Sequence, residues 1–106
     1  MKIAITSPNA KTIAGHAGKC PGYLIYNINQ DKTVTKSHIK LTKEQVFKNF
    51  SGALSQNPQH PLHDIDVFIT QGLGDGLANR LSRDNIQVYK TEESDPEAII
   101  QSITSY

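Results

Sequence analysis

Ile65-Asp66-Val67-Phe68-Ile69-Thr70-Gln71-Gly72-Leu73-Gly74-Asp75-Gly76 reads as a core strand running into a glycine turn. A helix through Leu77, Ala78 and Leu81 follows, running out near Asp84-Asn85, and Ile86-Gln87-Val88-Tyr89 makes a further strand. Two strands joined through a helix lie parallel in one sheet, because a crossover returns the chain to the same end. This βαβ unit assigns the chain to the α/β class.

Working outward, Ser94-Asp95-Pro96-Glu97 opens a last helix, with Ser94 and Glu97 spaced as a capping box and a proline in the first turn. Its buried side carries Ala98, Ile99 and Ile103. Upstream, Lys2 to Thr6 is a short apolar strand ended by Ser7-Pro8-Asn9. Tyr23 to Ile28 is rich in aromatic and β-branched residues, Asn29-Gln30-Asp31-Lys32 is a turn, and Thr33 to Leu41 returns antiparallel. Val34 is out of phase with Ile39 and Leu41, which predicts a bulge. Thr42 with Gln45 predicts a helix start, with Val46, Phe47, Phe50 and Leu54 at helical spacing and Gly52 weakening it. The expected order is β-β-β-α-β-α-β-α: an antiparallel meander feeding a mixed five-stranded sheet with about three helices.

The 106 residues fit one domain spanning 1–106, and a formal net charge of +1 leaves no basic excess for nucleic acid. One cysteine excludes an intrachain disulfide, and neither a signal peptide nor a membrane-length apolar run is present. These features predict a cytoplasmic protein without membrane or nucleic-acid partners, as a monomer or homodimer.

Three segments carry candidate chemistry. In His16-Ala17-Gly18-Lys19-Cys20, an imidazole and a thiol sit in a long loop with two glycines. Soft and borderline metals accept both ligand types, and a nearby Lys19 would lower the thiol pKa. The plain alternative makes Cys20 a packed small hydrophobe and His16 a loop hydrogen-bonder. In His60-Pro61-Leu62-His63-Asp64, two imidazoles three apart share a helical face and make half a metal site, or else a polar turn before a strand. Gly72, Gly74, Asp75 and Gly76 form a glycine loop at a helix start, suited to an anion, or else a tight turn capped by Asp75. The spacing is neither a dinucleotide fingerprint nor a Walker loop, and the opening strand offers no carboxylate for a metal-dependent nuclease.

These segments, in this order, resemble the dinitrogenase iron–molybdenum cofactor biosynthesis family. The likeness runs from Met1-Lys2-Ile3-Ala4-Ile5 through His16–Cys20, Tyr23-Leu24-Ile25-Tyr26, His60-Pro61-Leu62 and Asp66–Leu77 to Val88. It implies a ribonuclease H-like fold without nuclease activity and a carrier or accessory role for iron–molybdenum cofactor or another iron–sulfur type cluster, working with cofactor-assembly or nitrogenase-type proteins. His16 matches the histidine of the family's first loop, Ala17 replaces the large aromatic of many relatives, and Cys20 is shared by one branch. On this reading His16, Cys20, His60 and His63 contact metal, and the glycine loop faces the anionic cluster. It requires imidazole and sulfur of the early loop to converge on one solvent-reachable pocket. The alternatives are a small thiol-dependent enzyme using Cys20 with His16, or a regulatory or interaction domain with an anion-binding glycine loop.

Overall fold

The computed structural model describes residues 1–50 and 52–104. Its sheet contains β1 (Lys2–Thr6), β2 (Gly22–Ile28), β3 (Val34–Lys40), β4 (Val67–Thr70) and β5 (Gln87–Lys90), in the order β3-β2-β1-β4-β5. The first three strands form the expected antiparallel meander, and β4 and β5 are parallel. The two halves join where β1 pairs parallel with β4, Ile3 opposite Val67 and Ile5 opposite Ile69.

Successive side chains of a strand point to opposite faces, so each central strand feeds two cores. Ala4, Tyr23, Ile25 and Phe68 pack on one face with Phe47, Leu54, Leu62 and with Leu81 of α1 (Asp75–Arg83). Ile3, Ile5, Leu24, Tyr26, Val67 and Ile69 pack on the other with Ile13 and with Ile100 of α2 (Pro96–Thr104). A hydroxyl-to-carboxylate bond from Tyr26 to Glu97 (2.9 Å) and the ion pair Lys36–Glu97 tie α2 to the meander.

The structure corrects four local expectations. Two α-helices are present among the described residues, not three: residues 42–50 form turns, followed by one 3-10 turn at Leu54–Gln56. The returning half of the predicted box does form, Thr42 N–H donating to Gln45 Oε1 at 2.9 Å. The helix fails to propagate because Lys48 N–H leaves the helical pattern and donates to Gly18 O at 2.7 Å. Strand β3 pairs with β2 in unbroken register without a bulge, and the out-of-phase Val34 simply stands exposed on an edge strand. The cap of α2 comes from Asp95, whose Oδ1 accepts Glu97 N–H at 3.0 Å, while Ser94 offers its carbonyl to Ile13 N–H. Finally, Gly74 is the N-cap of α1, and Asp75 is its first helical residue.

Gly22 shows how tightly the start of the long loop is seated. A Cβ there would lie 2.5 Å from Ser7 O and 2.9 Å from Pro8 Cα, main-chain atoms that cannot swing aside. Gly22→Ala is expected to destabilise the fold by about 1–3 kcal/mol, read from the urea midpoint; an unchanged midpoint would mean that the 7–8 main chain moves freely.

Candidate functional site

Because β1 and β4 run parallel, the loops after them leave the sheet at the same end, where α/β proteins place their ligands. Here the loops touch. His16 and Gly72 form an isolated parallel β-bridge, and Ala17 N–H donates to Gly72 O at 2.8 Å. Beneath it, Thr6 Oγ1 lies 3.0 Å from Thr70 Oγ1, which in turn donates to Gly72 O at 3.2 Å. The fully buried Tyr23 donates its hydroxyl to Ala17 O at 3.1 Å, and Lys19 and Cys20 N–H groups both return to His16 O. Main-chain bonds thus fix His16 while its side chain stays exposed. The ring lies against Gly72, where any Cβ would come within 3.3 Å of His16 Cδ2.

The imidazole lines an open depression of about 320 Å³ with Gly18, Lys19, Phe47, Lys48, Leu77 and Arg80. Three cationic side chains border it and, among the described residues, no carboxylate does, a composition suited to an anion. Lys19 and Lys48 are exposed, so their attraction is screened by salt. Arg80 is half-buried and fixed, donating to the carbonyls of Phe50 (2.9 Å) and Gly52 (3.2 Å).

The other candidates lie elsewhere. Cys20 does not line the depression: it is buried, its thiol donates to Gly22 O at 3.2 Å, and its sulfur packs under Gly15. Burial pushes its pKa up, against smaller lowering contributions from main-chain bonds at Gly22 and Ser7. The expected convergence of imidazole and sulfur on one pocket is therefore not what the fold builds. His60 has both ring nitrogens engaged with the main chain: Nε2 donates to Gln45 O at 2.9 Å and Nδ1 accepts Leu62 N–H at 3.1 Å. His63 directs Nδ1 to His60 O and stands beside Asp64, which pairs with Lys2 at the amino end of β1, away from His16 at the carboxyl end. Of the glycine loop, Gly72 reaches His16, whereas Gly74, Asp75 and Gly76 are exposed at the helix start and do not line the depression. Among the described residues no group of three or more His, Cys, Asp or Glu is placed to hold a metal ion.

Sequence reasoning missed Phe47, Lys48, Leu77 and Arg80 as site residues. Only Leu77 and Arg80 carried a local signal, three apart on one helix face; the others reach the site through tertiary contacts.

The molecule is thus a small mixed α/β protein with a basic, single-histidine depression at the carboxyl ends of its central strands. It belongs to the dinitrogenase iron-molybdenum cofactor family, which it matches over residues 1–106. The fold is shared with PH0822 (TM-score 0.73, 14% identity, 99% of this chain and 89% of that one). It is also shared with mj0327 of Methanocaldococcus jannaschii, whose description links it to dinitrogenase (TM-score 0.70, 17% identity, 99% and 88%). The Thermotoga protein TM1290, whose description links it to NifB, is similar as well (TM-score 0.64, 14% identity, 98% and 87%). Among curated proteins, none matches the chain. No helix among the described residues is long and apolar enough to cross a membrane.

A thiol raised by burial is a poor nucleophile at neutral pH. Iodoacetamide at pH 7.5 is expected to alkylate Cys20 at least about tenfold more slowly in the folded chain than in urea. Rapid labelling of the folded protein, with a low apparent thiol pKa, would favour the thiol-enzyme alternative.

Proposed function

We propose that this chain is a non-enzymatic carrier or accessory protein for an iron–molybdenum or other metal–sulfur cluster during cofactor assembly, delivering to or receiving from cofactor-assembly proteins. Family membership supplies the context. The strand order β3-β2-β1-β4-β5 with β2 reversed supports the ribonuclease H-like assignment. The observation that carries the reading is an exposed imidazole, His16, fixed by main-chain bonds in a basic depression with, among the described residues, no other donor of the His, Cys, Asp or Glu type.

A resident iron–sulfur cluster takes about four protein ligands. One imidazole cannot replace them, so the cluster that fits must arrive with its other coordination positions already filled. Such clusters are anionic, and Lys19, Lys48 and Arg80 oppose that charge without forming a covalent cage. One coordinate bond plus screened attraction gives binding that can be reversed, as handing over a cargo demands. Cys20 takes no part in this site, because ligation would require its thiol to leave the Gly22 carbonyl and lose its cover.

The test is anaerobic loading with isolated iron–molybdenum cofactor, and separately with iron, sulfide and molybdate, followed by gel filtration, metal analysis and visible spectra. Wild type is expected to retain the preformed cluster, and Cys20→Ala to retain it equally. His16→Ala should weaken retention at least about tenfold, equivalent to about 1.4 kcal/mol. Replacing Lys19 and Lys48 by Glu should weaken it too, with reduced dependence on salt. Undiminished loading of His16→Ala would overturn the assignment.

A further inference from the structure

One wall of the depression, Phe47 and Lys48, belongs to residues 42–50, a segment with neither helix nor strand. Its position therefore depends on bonds from outside it. Lys48 N–H donates to Gly18 O at 2.7 Å, joining the wall to the His16 loop. Arg80 of α1 holds Phe50 O at 2.9 Å, and His60 Nε2 holds Gln45 O at 2.9 Å. The His60 ring is 3% exposed, with centroids 6.0 Å from the stacked Phe47 ring and 4.6 Å from Phe50.

Both ring nitrogens have fixed roles. Gln45 O is a carbonyl, so Nε2 must carry a proton, while Nδ1 must be bare to accept Leu62 N–H at 3.1 Å. The neutral Nε2–H tautomer satisfies both partners. The imidazolium cannot, because a proton on Nδ1 would face the Leu62 amide hydrogen at a ring that is almost wholly buried.

We propose that His60 is an acid-sensitive positioning residue: neutral, it clamps the Phe47–Lys48 wall against the His16 loop, and uptake of a second proton releases that wall. The consequence for cargo rests on the carrier reading; the clamp itself does not. Burial lowers the His60 pKa, opposed by the bond to Gln45 O, and the charge of neighbouring His63 lowers it further. Of the other charged groups on the elements around it, Arg80 comes from α1, Lys43, Glu44 and Lys48 are exposed on the wall segment, and Asp64 follows His63 in the turn and pairs with Lys2. Neither ring nitrogen is bonded to a carboxylate. The sign follows: with the folded value below the ordinary value of about 6.5, the clamp is whole above that pH and is lost as pH falls below it toward the lowered value.

Cargo retention also depends on His16, so the readout is taken on the wall without cargo. Amide-exchange protection of Lys48, corrected for intrinsic rate, is expected to fall about tenfold between pH 7.5 and pH 5 in wild type, with Phe68 protection unchanged. His60→Gln supplies an amide N–H for Gln45 O and an oxygen for Leu62 N–H but does not titrate, so its Lys48 protection should stay level. Should that variant not fold, the imidazole nitrogen shifts of wild type decide: a neutral Nε2–H ring persisting below the ordinary value of about 6.5 until Lys48 loosens supports the clamp. Lys48 protection level with pH in wild type, or falling equally in His60→Gln, overturns it. Acid loosening in a protein that binds no cluster supports the clamp and removes the cargo reading, whereas cluster binding with level Lys48 protection removes the clamp and keeps the cargo.

Discussion

The parallel pairing of β1 with β4 is the constraint on which the rest of the molecule depends. It places two strands with consecutive apolar residues, Ile3-Ala4-Ile5 and Val67-Phe68-Ile69, side by side in the middle of the sheet. Strands buried on both faces need cover on both, which α1 and the 41–65 segment supply on one side and α2 with Ile13 on the other. The same pairing sends residues 7–21 and 71–74 out at one end, close enough for His16 to bridge to Gly72. The candidate site is a by-product of strand direction.

What stands at that end is assembled from three stretches of chain, the His16 loop, the 42–50 wall and α1, over a base of Tyr23 and the Thr6–Thr70 hydroxyls. Side chains that stabilise the fold and side chains that face solvent are sharply divided here. Tyr23, His60 and Cys20 each satisfy a main-chain carbonyl from a buried position. His16, Lys19 and Lys48 are held by their backbones and leave their side chains free to meet an anion. An imidazole presented this way can bind a metal without the protein giving up any packing, unlike His60 or Cys20.

Much of this was legible from residue order. The five strands announced themselves through short β-branched and aromatic runs between turn residues, and the βαβ unit through the switch of period around Gly72. The 42–54 helix was misread because its period was genuine while one bond was not: Lys48 N–H prefers a carbonyl thirty residues away. The histidines at 60 and 63 look equivalent three apart in sequence. In the folded chain one closes a core between two phenylalanines and the other sits at the opposite end of the sheet from His16.

By itself, then, the sequence determined the class of fold, the antiparallel meander, the βα turn and His16 as a candidate, because these follow from local periodicity, turn chemistry and residue type. Only the tertiary structure decided that β1 lies beside β4, that Cys20 is covered, that His60 is spent on the main chain, and that Lys48 and Arg80 border the site. Those outcomes depend on which distant carbonyls and apolar faces compete for each group, and no local spacing encodes that competition.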